Sequence, residues 1–293
     1  MGVLFALIAA TAYGISDFVG GFASRRVPAL TVLLVSYPIG GALMAVLLLW
    51  YRGPLSTATV AWSVGGGVAG LTGVALMYSA LAIAPMNVVS PVTAVMSAVV
   101  PVLFGVGRGE RPHGLAWVGI ALGLVAVVLI SRQAPARPEP GTGETAAAAP
   151  GAGRTGTVGW RPLTMAVLAG VGFGMYFVCL ASADTDSGIW PVVLSRAVSA
   201  VLVVPLAILG RQLVRPSRMV SGLAALAGVL DATANWTFVL ASRHGLLSLS
   251  GVITALYPAG TVLLAMGFLG ERSSRTQRMG FGVATFSVVL LTR

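Results

Sequence analysis

Ten apolar runs of about 20 residues follow one another along this chain, at roughly 3–23, 28–50, 60–83, 87–107, 114–131, 162–183, 188–210, 219–241, 245–269 and 276–292. A helix rises about 1.5 Å per residue and the hydrocarbon core of a bilayer is about 30 Å thick, so each run has the length of a transmembrane helix. The composition agrees: 57% of residues are hydrophobic and 9% charged, whereas a soluble domain carries about 25% charged residues. Much of the surface must therefore face lipid. The first run has no basic leader and reads as a helix of the fold rather than a cleaved signal peptide.

The chain also repeats itself. Residues 70–132 recur without a gap as 231–293, at an offset of 161, with about 14 of 63 positions identical. The shared words are Thr93-Ala94 with Thr254-Ala255, Gly109-Glu110-Arg111 with Gly270-Glu271-Arg272, and Val127-Val128-Leu129 with Val288-Val289-Leu290. Each half holds five spans. Five is odd, so the second half must enter the membrane from the opposite side. The expected fold is all-α and integral to the membrane: ten transmembrane helices in two inverted five-helix repeats, with a binding site at the interface of the halves. The expected units are residues 1–132, a flexible linker 133–161 and residues 162–293. The linker reading rests on its Pro, Gly, Ala and Thr content and its lack of apolar periodicity.

The net charge of +10 comes from Arg, with no Lys in the chain, and with the abundant Ala, Gly, Val and Pro this suggests a GC-rich bacterial genome. The Arg residues stand singly or in pairs at helix ends, not on one basic face, so nucleic acid is not an expected partner. Twelve lie in loops opposite the N-terminus and five on the N-terminal side. The positive-inside rule then leans toward termini outside the cell. The lone Cys179 gives no disulfide framework and no thiolate metal site. His113 and His244 have no second ligand at metal spacing, so no metal or cofactor is expected.

GxxxG spacing at Gly66/Gly70, Gly119/Gly123 and Gly170/Gly174 allows close helix contact in lipid. Pro38, Pro91, Pro101, Pro205 and Pro258 fall inside spans, where each removes a backbone hydrogen bond and can bend its helix.

This order of features resembles the drug/metabolite transporter superfamily, in its ten-helix form made of two EamA repeats. The residues that carry the resemblance are Tyr13-Gly14 and Phe173-Gly174, the Gly-Glu-Arg turns after helices four and nine, and Arg196 early in helix seven. Tyr37 stands where the matching helix of the first half would carry an Arg, so a cargo role for Arg196 would be one-sided. The resemblance implies a carrier in the cell membrane, with membrane lipid and a small-molecule substrate as partners, and leaves the cargo open among amino acids, drugs, other metabolites, nucleotide sugars and phosphorylated sugars.

Three ionisable residues fall within spans: Asp17, Arg196 and Asp231. A charge at bilayer depth costs roughly 2.5–3.5 kcal/mol on insertion scales unless it is paired or wet, so such residues mark a pathway by default. Asn235 lies one helical turn after Asp231 on the same face. Arg196 could hold a carboxylate or phosphate through its two-donor fork. The expected substrate or proton pathway is Tyr13, Asp17, Arg196, Asp231, Asn235 and Tyr257, with Asp17 as a proton acceptor. A structural ion pair from Arg196 to Asp231 or Asp17 is the alternative. Glu110, Arg111, Glu271 and Arg272 read as interfacial turns or as a gate that pairs across the halves. Trp236, beside Asn235, reads as core packing or as a platform for cargo.

No GxxxxGK[ST] loop is present, so ATP does not drive the process directly. An intramembrane enzyme would need a nucleophile with a partner base, and no such constellation stands out. The leading expectation is a secondary transporter, an exporter working by alternating access around a midplane cavity. The alternative is a passive channel or a lipid scramblase.

Overall fold

The computed structural model describes residues 1–84, 86–131, 160–269 and 273–292, and the side chains of 86, 87 and 269 are outside that description. The helices are α1 (Gly2–Ser24), α2 (Ala29–Leu47), α3 (Thr57–Leu81), α4 (Met86–Gly107), α5 (Gly114–Ser131), α6 (Trp160–Ser182), α7 (Trp190–Leu209), α8 (Arg218–Arg243), α9 (Leu247–Thr254), α10 (Pro258–Leu269) and α11 (Arg275–Leu291). A single 3-10 turn, Thr185–Ser187, precedes α7, and no β-strand occurs among the described residues. The expected linker lies, up to residue 159, outside the described residues.

Among the described residues eleven α-helices make ten spans, because α9 and α10 share one. Pro258 is the cause. Its ring would meet the carbonyl of Thr254 in a continuous helix, and it has no N–H to offer. The chain leaves the helix at Ala255 and passes through tight turns, with Tyr257 N–H donating to Thr254 O at 3.1 Å and Ala259 N–H to Leu256 O at 2.9 Å. The other prolines stay inside α2, α4 and α7. By length and composition nine spans among the described residues are fit to cross a membrane. The tenth, α11, has 17 residues, at the short end of the range of about 17–25 that spans a bilayer.

Helix starts are fixed locally. Ser56 caps α3 by accepting from Thr59 N–H at 3.0 Å. Ser274 and Gln277 form a reciprocal capping box at α11. These bonds satisfy donors that a helix start leaves open.

The packing repeats with the halves exchanged. α1 lies against α8 and α6 against α3; α2 meets α8 and α7 meets α3. The aromatic-Gly words explain one pair of contacts. A Cβ on Gly14 would come within 2.7 Å of Tyr257 O at the α9–α10 break, and one on Gly174 within 2.5 Å of the Val100 side chain on α4. The first helix of each half therefore presses a glycine onto the fourth span of the other half. The GxxxG pair Gly66/Gly70 receives Cys179 and Tyr176 of α6 in the same manner. With five spans per half, this exchange is the inverted arrangement.

Candidate functional site

A cavity of about 560 Å³ lies between the halves. Its wall runs from Ser24, Ser131 and Gln277, at the linker-side ends of α1, α5 and α11, down to Tyr13, Arg196 and Asp231 near mid-membrane. Among the described residues the cavity thus reaches the face that carries the linker.

Arg196 and Asp231 form an ion pair through Nη2 and Oδ2 at the cavity floor. The Arg196 side chain is 6% exposed and that of Asp231 is 27% exposed, so the pair is asymmetric: the acid meets the cavity and the base is buried. Tyr37 stacks on Arg196, with the guanidinium carbon 5.1 Å from the ring centroid. A buried cation is stabilised over an aromatic face. Tyr37 is the residue that takes the Arg position in the first half. Ser195 and Ser199 do not serve Arg196; their hydroxyls donate to Val192 O and to Gly67 O.

Asn235 belongs to this group but stands behind the wall. It is fully buried and does not line the cavity. Its Nδ2 donates to Asp231 O at 2.6 Å and to Asp231 Oδ2 at 3.4 Å, and its Oδ1 accepts from Tyr13 Oη at 2.6 Å. Tyr13 and Tyr257 both line the cavity, their ring centroids 6.2 Å apart. Phe177 continues this aromatic wall, 5.8 Å from Tyr13, and Tyr176 lies 5.9 Å beyond it. Asp17 lines the cavity nearer its mouth, on α1 one turn past Tyr13. It is exposed and has no ion pair or side-chain hydrogen bond among the described residues. Trp236 points elsewhere. It is no part of the cavity wall, and Arg243 and Tyr51 flank it toward the N-terminal face.

That face is knitted shut across the halves. Glu110, in the turn after α4, accepts from Leu247 N–H at 2.6 Å and from Ser248 N–H at 2.9 Å, and so caps α9. Asp184 accepts from Ser56 Oγ, and from Thr59 Oγ1 at 3.3 Å. Trp190 Nε1 donates to Gly53 O at 3.1 Å, and Arg108 to Ser182 Oγ at 3.2 Å. Beneath these contacts lies an apolar plug that includes Met44, Phe177, Val192, Phe238 and Leu247. Arg111 is exposed at its turn, whereas Glu271 and Arg272 lie outside the described residues. Sequence reasoning missed Tyr37, Tyr176, Phe177 and the Ser56–Asp184 contact. Only Tyr37 left a signal, as the residue that replaces Arg in the repeat.

The model of the EamA-like transporter family matches residues 1–132 and again 160–293. One crystal structure superposes with a TM-score of 0.73, over 99% of this chain and 96% of its own, at 21% identity. At that identity the likeness shows the fold alone. No curated protein matches.

Proposed function

The chain belongs to the EamA-like transporter family, and from that premise we propose that this multi-pass membrane transporter is a secondary carrier working by alternating access. The observation that carries the reading is the cavity, which reaches the linker side, is walled by both halves and is closed on the other side by contacts between them. A carrier needs one open and one sealed face around a fixed midplane site.

The cargo is a small metabolite, amino acid or drug held in the aromatic cavity beside Arg196 and Asp231. The direction is export. The sequence assigns twelve Arg residues to loops on the linker side and five to the other, a bias that supports a cytoplasmic linker face in a plasma-membrane protein. The state described then loads from inside. Asp17, which lines the cavity and has no ion pair among the described residues, is the group for proton coupling.

Counterflow in proteoliposomes tests carrier against channel. A carrier preloaded with unlabelled cargo accumulates labelled cargo; a channel or scramblase only equilibrates it. Alternating access is tested by a disulfide across the sealed face. Ser56→Cys with Asp184→Cys, in a Cys179→Ala background, should stop transport when oxidised and regain it on reduction. Undiminished transport by the cross-linked protein would overturn the reading.

A further inference from the structure

We infer that Glu110 is the latch of the sealed face, and that α9 is the lever joining this latch to the cargo cavity. The inference rests on the alternating-access reading and goes beyond it by naming the residue that holds the face shut.

The sequence builds the latch for its purpose. α9 begins without a cap of its own: Leu246 occupies the cap position and offers no side-chain acceptor. The first N–H groups of a helix need acceptors, and an anion there is favoured by the helix dipole. Glu110 supplies both oxygens from the other half of the protein. Its turn is shaped to do so. Gly109 adopts φ +95°, and Glu110 N–H returns to Gly105 O at 3.0 Å. Gly105 leaves the space that the carboxylate fills, since a Cβ there would collide with Glu110. An ordinary structural cap would come from the residue before α9. This one comes from 137 positions away, so it exists only while the halves are together.

The other end of α9 reaches the site. The helix has eight residues, a length of about 12 Å at 1.5 Å per residue. Past its last turn, Tyr257 and Pro258 line the cavity. A rigid short helix with one end latched and the other at the cargo is an element that both ends can bias. Cargo that shifts Tyr257 moves Leu247 and Ser248 against Glu110.

The test separates a latch from a mere cap. The full chain, with Cys179→Ala and Met44→Cys as reporter in the buried plug, is reconstituted in proteoliposomes. A membrane-impermeant maleimide is added at the N-terminal face. Glu110→Gln and Glu110→Ala should raise the labelling rate about tenfold, the factor expected from losing a contact of ordinary cap strength. Leu246→Asp is then added to Glu110→Ala, giving α9 a cap from its own half. The double variant should regain thermal stability yet keep the fast labelling, because the tie between the halves is still missing. It also carries the measurement where Glu110→Ala alone is too unstable to reconstitute. Slow labelling in Glu110→Gln, or labelling restored to slow by Leu246→Asp, would overturn the latch. Failure of alternating access itself reads out separately, as transport by the Ser56–Asp184 cross-linked protein.

Discussion

Tyr13 donates its phenolic hydrogen to Asn235 Oδ1 at 2.6 Å, across the boundary between the two halves. This contact determines how the Asn235 amide sits. With Oδ1 taken by Tyr13, Nδ2 must face Asp231, and it does. A tyrosine of α1 thus orients the residue that steadies the acid of α8. Tyr13 also lines the cavity, so cargo and acid share one support.

Tyr13→Phe should remove this support while keeping the ring. Asn235 is fully buried, so its Oδ1 would lose its one side-chain donor among the described residues. An unsatisfied buried acceptor costs about 1–3 kcal/mol. A lower thermal midpoint in detergent and a weaker apparent affinity for cargo are expected. Unchanged values for both would show that the bond carries neither load.

The ion pair at the cavity floor gives a second expectation. Asp231→Leu alone leaves the buried Arg196 charge unpaired, at about 3–5 kcal/mol. Arg196→Leu leaves Asp231 unpaired where it meets the cavity, so its loss of stability should be smaller, and neither single variant should transport. The double variant has no charge left to neutralise, so insertion and fold should return. If Arg196 and Asp231 serve the cargo, transport stays absent in that double variant. Recovery of wild-type transport would reduce the pair to structure.

Gly14 should tolerate no side chain. Its Cβ would approach Tyr257 O within 2.7 Å, and that atom is backbone at the α9–α10 break. Gly14→Ala must push α1 off the break, and overpacking of this kind costs about 1–3 kcal/mol. Gly222, where an added Cβ meets nothing within 4 Å, is the control. Gly14→Ala should lower both stability and transport in proteoliposome assays, and Gly222→Ala neither.

Much of this architecture was legible because lipid imposes strict rules. Span number, the inverted halves and the marked residues Arg196, Asp231 and Asp17 follow from the cost of polar groups in hydrocarbon. Asn235 followed from helical spacing, but its place behind the wall did not. Helices such as α3 and α5 are apolar on every side, so no face of theirs announces which neighbour it meets. Tyr176 and Phe177 lie on α6 among other apolar residues, and nothing in the sequence set them apart as cavity wall rather than packing. Pro258 could be seen as a bend, but not as a full break at 255–257, since Pro38, Pro91, Pro101 and Pro205 stay inside their helices. The partners of Glu110 are backbone amides, which no side-chain pattern encodes.

Asp17 yields the last expectation, and it concerns energy rather than shape. The residue lines the cavity near its mouth and has no ion pair among the described residues, so it is available to a proton or a cationic group of the cargo. Asp17→Asn keeps size and hydrogen bonding but cannot gain or lose a proton. Counterflow needs only exchange of cargo, whereas uphill accumulation needs a coupled ion. If Asp17 couples transport to protons, Asp17→Asn should retain counterflow at near wild-type rate and lose accumulation driven by an imposed pH gradient. Loss of both together, with normal thermal stability, would instead make Asp17 a cargo contact. Retention of both would leave it a solvated side chain at the cavity mouth, with the coupling group to be sought elsewhere along the wall.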